Sequence, residues 1–539
     1  MRGHLLSGLA ALVAGIVGLV GATPAWAHGF GARYDLPIPL WLYLLGAGGA
    51  VAVSFVIVAL MARRTPGLHG YARLDLRRWA LGRALTHAAT LNAVRLIAVA
   101  VFLLIIVAGL FGTQSPTRNF APTMVWVIWW VGLAFVCALV GNLWALVNPW
   151  RILFAWAEAG YRAATGGHEL AGRLAYPRGL GMVPAIILFL VFAWLELVWR
   201  GGEVPRSLAC AIIAYSAVTW AGMAAFGREI WLRHGEAFDI AFGLLARFAP
   251  TEVRVTNTAL CETCGSGACG HGAHGAQEHR DCVDCYDCAS RAAPDARQFN
   301  LRPWTVGLLS HAPVPWTMLV FILLMLATVS FDGIKETPAW TGLMDGIFGT
   351  QALAPLLFGL HDLTGNVMAT LQTLALVVLP TVFLIVYMLF AWMMAAAAGP
   401  SDAEPVSAGQ VARLFVLSLI PIALAYHLAH YISFLLLAGQ LIIPLVSDPF
   451  GFGWDLFGTA DYRLDIAVVN ARMVWYTAVA AIVVGHMVAV YLAHIAAMRV
   501  YADTRRALRG QIPVLALMVG YTTLSLWILS QPIVKSSAG

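Results

Sequence analysis

The sequence predicts an all-α polytopic membrane protein with about ten transmembrane helices, in two five-helix halves of opposite orientation. Hydrophobic residues make up 60% of the chain, charged residues only 11%, and the mean hydropathy is +0.79. A soluble domain needs a more polar surface than this composition provides. Because each span takes about 20 residues, the 539 residues leave no room for a large soluble domain.

Ten apolar stretches predict the membrane spans, with a polar connector between the fifth and the sixth. They are Pro39–Met61, Ala88–Phe111, Thr123–Val147, Met182–Trp199, Leu208–Phe226, Pro313–Val329, Val367–Ala395, Leu414–Leu437, Ala467–His494 and Ile512–Ile528. Since five spans precede the connector, the second half enters the membrane in the opposite sense to the first.

The first 27 residues have the pattern of a secretory signal peptide. Arg2 precedes a short apolar run, and Ala25–Ala27 forms an A-x-A cleavage site. An uncleaved first helix is the alternative, but the apolar run suits a signal better than a span. Cleavage would leave His28 at the start of the mature chain, on the outer side of the membrane.

Arginine residues cluster in alternate connections, at 63–83, 151–178, 228–254 and 499–509. The positive-inside rule assigns these connections to the cytoplasm and both mature termini to the periplasmic or extracellular side. This pattern predicts a bacterial inner-membrane protein whose first partner is the lipid bilayer. The net charge of +6 is spread over these clusters rather than along one polar face, so we expect no nucleic-acid partner.

The predicted domains are a signal peptide at 1–27, spans one to five within 28–226, a cytoplasmic connector at 227–303, and spans six to ten within 304–539. In the connector, the segment from Gly227 to Val253 alternates charged and bulky apolar residues, which predicts an amphipathic helix on the cytoplasmic face. The rest of the connector is rich in cysteine and histidine.

Two cysteine triplets with histidines between them form the sharpest motif in the chain. The first triplet has the spacing C-x2-C-x4-C and the second C-x2-C-x2-C, and short C-x2-C spacing lets two thiolates reach one metal ion from a tight turn. The candidate metal ligands are Cys261, Cys264, Cys269, His271, His274, His279, Cys282, Cys285 and Cys288.

The reducing cytoplasm favours a metal ion or an iron–sulfur cluster over disulfides at these cysteines. Reversible redox disulfides and an unstructured tether are the alternatives. The spacing lacks the C-x3-C-P ending of bacterial ferredoxins, and histidines accompany the thiols. Zinc is therefore slightly favoured over iron or an iron–sulfur cluster.

Histidines inside the predicted spans form a second group of candidates. His427 and His430 are three residues apart and share a helix face, and His486 and His494 lie on the following span. Ionisable residues at membrane depth are costly, so these histidines are candidate metal ligands, with Glu196 as a further candidate functional residue. They could hold a metal that activates water, ligate a haem iron or relay protons. Their different depths favour two sites, or a path, over one four-histidine site.

Several segments carry a resemblance to a known family: HGFGARYDLPIPLWLYLLGAGGAVAVSF, CVDCYDC, NLRPWTVGLL, GHMVAVYLAH and LSLWILSQPIV. Together they resemble the membrane proteins known as fenitrothion hydrolase, over nearly the whole mature chain. The resemblance implies hydrolysis of organophosphorus triesters, which are small apolar substrates, at the inner membrane. It brings no catalytic residues that can be assigned to positions in this chain.

Three functional hypotheses follow. The resemblance favours a metallohydrolase, with His427, His430 and His486 as candidate catalytic residues around a metal-activated water. The second hypothesis is a redox protein that links a cytoplasmic metal or Fe–S centre to haem or quinone, and the third is a metal or small-solute transporter with a sensing loop. A partner membrane subunit is a further candidate interaction. The sequence has no P-loop, G-x-S-x-G or H-E-x-x-H motif that would support nucleotide-driven, serine or zincin chemistry.

Overall fold

The computed structural model describes residues 34–61, 71–172, 174–257, 260, 282–309, 312–399, 406–501 and 503–535. Within these ranges, nine helices are long and apolar enough to cross a bilayer, which confirms the all-α polytopic architecture. They are Leu40–Leu60, Ala88–Phe111, Phe120–Leu139, Pro205–Phe226, Trp316–Lys335, Val367–Ala398, Ala408–Ser447, Ala471–Val500 and Thr504–Gln531. The predicted signal peptide and His28 lie outside the described residues.

Shorter elements connect these spans. The helices are Ala80–Leu85, Trp144–Val147, Pro149–Ala164, Val183–Leu197, Arg228–His234, Ala237–Ala246, Tyr286–Arg291, Pro338–Gly349 and Ala354–Thr364. The strands are β1 (Tyr34–Asp35), β2 (Leu74–Asp75), β3 (Thr251–Val255), β4 (Cys282–Val283), β5 (Arg297–Leu301) and β6 (Val534–Lys535). An antiparallel sheet has the order β2-β5-β3-β4, and β1 pairs with β6 in parallel.

Strand pairing shows that the short helix Val183–Leu197 also crosses the membrane. Strands β2 and β5 are hydrogen-bonded and must lie on one side of the bilayer, so the chain between them crosses an even number of times. That stretch holds three of the long helices. Val183–Leu197, with 15 apolar residues, is therefore the fourth crossing, where the sequence predicts the span Met182–Trp199.

The pairing of β1 with β6 extends this count to ten crossings, because both ends of the described chain must share one side. We call the side of the four-stranded sheet the loop side and the side of β1 and β6 the distal side. A further helix pair, Pro338–Gly349 and Gln351–Thr364, bends by 69°. An even count requires this pair to return to the distal side. The sequence analysis did not predict it.

The two halves have opposite orientations but are not separate bundles. The first helix, Leu40–Leu60, packs on the last two, Ala471–Val500 and Thr504–Gln531. The ring of Tyr43 meets that of Trp475 edge-on, with centroids 5.5 Å apart. The division into five and five therefore describes the order of crossings rather than the packing.

The segment predicted as one amphipathic surface helix forms two helices, Arg228–His234 and Ala237–Ala246. The second is almost wholly buried, and its Phe238 ring lies 4.5 Å from the ring of Trp129 in a membrane span. A helix that is apolar on every side packs inside a bundle rather than on its surface. Buried Glu236 begins this helix by accepting the backbone N–H groups of Phe238 and Asp239.

Helix Val367–Ala398 shows where the bilayer contacts the protein. Its large apolar side chains are mostly exposed, including Ile385 (62%) and Trp392 (60%). An exposed apolar surface of this length in a helix of 32 residues is a lipid-facing surface.

Candidate functional site

Three of the predicted metal ligands converge on the loop side. The ligand sulfur atoms of Cys282, Cys285 and Cys288 all lie within 4.8 Å of one another, and the side chains are buried. Cys282 belongs to β4, Cys285 precedes helix Tyr286–Arg291, and Cys288 lies in the first turn of that helix. Among the described residues, these cysteines form the one group of three or more side chains that could hold a metal ion.

A left-handed turn brings the first two thiols together. Asp284, between Cys282 and Cys285, has a φ of 54°, a conformation that Asp tolerates better than most residues. Its backbone N–H donates to the carbonyl of Val253 at 2.7 Å, and its Oδ1 accepts the N–H of Val253 at 3.0 Å. The turn is thus clamped onto β3 from both the backbone and the side chain.

A buried group of charges supports this turn, and we call Arg73, Glu252, Asp284 and Arg302 the loop cluster. Nη1 of Arg302 donates to Asp284 Oδ2 at 2.9 Å and lies 3.4 Å from Glu252 Oε2. Glu252 also accepts from Nε of Arg73 and from the hydroxyl of Tyr71, each at 2.6 Å. Burial would raise the pKa of Glu252, but these hydrogen bonds outweigh it and hold that pKa below its ordinary value.

The donor set fits a thiophilic metal. Three thiolates are soft ligands, which select zinc, copper(I) or an iron–sulfur cluster over hard cations. Structural zinc sites and most clusters use four protein ligands, so a fourth donor would have to join this trio. The remaining predicted loop ligands, Cys261, Cys264, Cys269, His271, His274 and His279, lie outside the described residues.

A second group of ionisable side chains lies inside the bundle, near the distal side, and we call Glu196, Asp332, Lys335, His430 and Tyr431 the distal cluster. Oδ2 of Asp332 lies 2.8 Å from Nε2 of His430 and accepts the hydroxyl of Tyr431 at 2.8 Å. Nζ of Lys335 lies 3.2 Å from Asp332 Oδ1. Glu196 is close enough to interact electrostatically with Asp332 and Lys335.

His427 lies beside the distal cluster, among aromatic rings. Its ring centroid is 4.8 Å from that of Tyr431, 5.2 Å from that of Phe135 and 5.9 Å from that of Trp130. Its Nε2 is buried without a hydrogen-bond partner. Within the described residues, Nε2 of His427 is therefore a buried polar atom in an aromatic environment.

The rings beside His427 continue as a series toward the loop side. Centroid distances are 5.9 Å from His427 to Trp130, 6.4 Å from Trp130 to Trp129, and 5.6 Å from Trp129 to Trp144. We call these residues, with Tyr431, the aromatic series. Trp129 and Trp130 lie in a π-helical stretch, Thr123–Gly132, a winding that often marks functional sites.

His486 and His494 are placed apart from that group. Nδ1 of His486 lies 2.8 Å from the carbonyl oxygen of Ile482, and its Nε2 is buried without a partner. Nδ1 of His494 lies 3.1 Å from Gln511 Oε1. Eight residues of helix separate the two histidines, about 12 Å along the axis. In the described ranges the four predicted membrane histidines do not assemble into a metal-binding group, and their roles as metal ligands stay predictions.

Three members of the distal cluster, Asp332, Lys335 and Tyr431, were not predicted from the sequence. The predicted sixth span ended at Val329, which left Asp332 and Lys335 outside the membrane, whereas the helix continues to Lys335. Tyr431, next to His430, was not among the predicted site residues. The available signal was an acid and a base one helical turn apart at a span end.

Comparison with known protein families, with curated proteins and with solved structures finds no match. The resemblance to fenitrothion hydrolase therefore stays a prediction. The features of this chain that indicate a function are therefore its two clusters and the aromatic series between them.

Proposed function

We propose that this membrane metalloprotein is a redox protein, which exchanges electrons at a thiolate-held metal centre on the loop side and protons at the distal cluster. The observation that carries the proposal is the aromatic series, which runs from Trp144 on the loop side to Tyr431 beside Asp332. Tryptophan and tyrosine side chains can pass electrons in short steps, and neighbouring ring centroids in this series are 4.8 to 6.4 Å apart.

The cysteine trio supplies the redox end of the proposal. Cys282, Cys285 and Cys288 would hold an iron–sulfur cluster, which would supply one-electron chemistry at this place. Cys285 and its neighbour Tyr286 line the same cavity as Leu143 and Ala145, which flank Trp144. One metal ligand and the residues on either side of Trp144 therefore border one space.

The distal cluster supplies the proton end. Ionisable residues inside membrane proteins commonly relay protons, and histidine is a common member of such relays. Asp332, the partner of His430, is held by Tyr431 and Lys335 as well, so the carboxylate keeps its position whichever partner carries the proton. The unpaired Nε2 of His427 offers a further proton acceptor nearby.

The first test is the metal itself. Purified protein should contain iron and acid-labile sulfide and show a visible absorption that dithionite bleaches. Zinc as the sole bound metal, with no visible absorption, would exclude the redox proposal and leave a structural site.

The second test addresses the aromatic series in reduced protein exposed to a short-chain quinone, which takes two electrons and two protons per molecule. Trp130→Leu should slow reoxidation severalfold. Trp392→Leu changes a lipid-exposed ring outside the series and serves as the matched control. Equal rates for Trp130→Leu and wild type would contradict electron transfer through this series.

Hydrolysis of organophosphorus esters is the second candidate, and one observation favours it. The 2.8 Å contact between buried His430 and half-buried Asp332 is the arrangement of a general base and the group that orients it. Purified protein should then hydrolyse fenitrothion, and His430→Gln should lose the activity while His361→Gln, an exposed control, keeps it. Wild-type protein without hydrolysis would remove this candidate. The transport hypothesis stays a prediction.

A further inference from the structure

A large cavity opens on the loop side, between the membrane helices and the four-stranded sheet. Its volume is about 2120 Å³, well above the range of about 300–1,000 Å³ that is usual for small-ligand pockets. It is bordered by the start of helix Ala88–Phe111, the start of Pro149–Ala164, and helices Arg228–His234 and Ala237–Ala246. The site lies where membrane spans begin, at the level of lipid headgroups.

The floor of the cavity is apolar. Its apolar side chains come from the beginnings of membrane helices, from the short helices that follow the span Phe120–Leu139, and from helix Ala237–Ala246. These residues are Leu91, Val94, Leu146, Ile152, Met182, Leu244 and Met318. Hydrocarbon chains would cover this apolar surface and release its water, whereas a nucleotide or a sugar would leave it exposed to water.

The walls carry more arginine than acid. The arginines that line the cavity are Arg73, Arg77, Arg83, Arg95, Arg151, Arg228, Arg233, Arg247, Arg297 and Arg302, and the acids are Glu229, Asp239, Glu252, Asp284 and Asp287. Four of the acids already contact arginines of the same walls, through Arg73, Arg151, Arg228 and Arg302. The surplus positive charge is therefore left on other arginines.

Two of these arginines stand out. Among the described residues no hydrogen-bond acceptor or carboxylate pairs with the guanidinium of Arg233 or of Arg247, and Nη1 of Arg233 is buried without a partner. Burial and the neighbouring Arg302 lower the pKa of Arg247, although Asp284 opposes this. The buried Nη1 of Arg233 has no acceptor, which costs free energy that an anion in the cavity would recover.

We propose that this cavity binds an anionic phospholipid, with its phosphate at the arginine-rich lining that includes Arg233 and Arg247 and its acyl chains along the apolar lining. Basic pockets between membrane helices at the headgroup level are known to select such lipids. Bidentate guanidinium groups match the oxygen atoms of a phosphate. The proposal concerns a binding site and stands whether or not the metal centre is redox-active.

Native mass spectrometry of detergent-purified protein titrated with phosphatidylglycerol tests the proposal, with phosphatidylcholine as the zwitterionic comparison. We expect preferential binding of phosphatidylglycerol to wild type. Losing both arginines, in Arg233→Gln/Arg247→Gln, should weaken that binding about 30-fold, since each basic residue contributes about fivefold. Arg505→Gln, an exposed arginine on the loop side outside the cavity, should not change it.

Further arms separate the alternatives. Arg233→Lys/Arg247→Lys keeps the charge and should retain most of the binding, which would show that the positive charge at these positions, rather than the arginine side chains as such, is what the lipid needs. Equal binding of the two lipids, or equal phosphatidylglycerol binding by the glutamine variant, would overturn the proposal. Displacement of the lipid by inorganic phosphate at low concentration would assign the site to free phosphate, and displacement by a polyglutamate peptide to an acidic protein segment.

Discussion

The loop cluster and the distal cluster both hold buried charges, yet they are built differently. In the loop cluster two carboxylates meet two arginines, and Tyr71 and Asn300 complete the hydrogen bonds of Glu252. In the distal cluster one carboxylate, Asp332, serves a histidine, a tyrosine and a lysine at once. Matched permanent charges hold a fixed geometry, whereas several groups that can titrate around one acid allow a proton to move.

The largest effect is expected when the three cysteines that the loop cluster supports are replaced. Cys282→Ser/Cys285→Ser/Cys288→Ser should abolish metal binding, because serine hydroxyls are poor ligands for thiophilic metals. Cys210→Ser, which changes an exposed cysteine of helix Pro205–Phe226, should keep the wild-type metal content. Elemental analysis of the purified proteins gives the answer. Full metal content in the triple variant would mean that the trio is not the site.

Arg302→Met should be the most damaging single change in the loop cluster. It leaves half-buried Asp284 without its cation and buried Glu252 with Arg73 alone, so the cost should lie at or below the low end of the about 3–5 kcal/mol that breaking a buried pair takes. Hydrogen exchange at the β3 amides should accelerate, and metal should be lost. Arg78→Met, an exposed arginine near β2, is the control. Unchanged exchange would show that the cluster does not stabilise the turn.

Asp332→Asn tests the distal cluster without removing its shape. The amide keeps the hydrogen-bonding outline but cannot pair with a protonated His430, so reoxidation by a short-chain quinone should slow about 100-fold, as for loss of a proton-transfer group. The control is Asp345→Asn, an exposed aspartate of helix Pro338–Gly349. Normal rates in the Asp332 variant would make the distal cluster structural, like the loop cluster.

Glu236 differs from the acids of the loop cluster, because it is a buried acid that no arginine pairs in the described structure. Burial, and then the neighbouring Asp239, raise its pKa from 4.5 to about 7. Folding therefore favours the protonated acid, and the free energy of unfolding should fall as pH rises from 5 to 7.5, by about 2 kcal/mol. Thermal melting in detergent should show this slope.

Glu236→Gln should flatten the same pH profile, because the amide has no proton to lose. Its remaining oxygen can still accept the hydroxyl of Tyr215 and the amide of Phe238, and of the backbone amides only that of Asp239 loses its acceptor, so the variant should still fold. An equal slope in wild type and Glu236→Gln would attribute the pH dependence to other groups.

Much of the fold could be predicted from the sequence. The positions of all ten crossings follow from apolar stretches, because hydropathy is a property of about 20 consecutive residues and needs no knowledge of neighbours. The second cysteine triplet was equally accessible, since C-x2-C-x2-C places its ligands within one turn and one short helix. The prediction that Gly227–Val253 lies on the membrane surface was wrong for its second helix. The charges at the start of the segment suggested a surface helix, whereas nearly all residues of Ala237–Ala246 are buried.

The sequence by itself determined the membrane architecture and the thiol-rich connector, both of which depend on residues close together along the chain. Only the tertiary structure decided which polar groups meet. Tyr431 and Asp332 are 99 residues apart, and Tyr71 and Glu252 are 181 apart. Their contacts depend on how each helix is rotated and how far it is shifted against its neighbours. Side-chain packing sets those quantities, and a pattern of hydropathy does not record them.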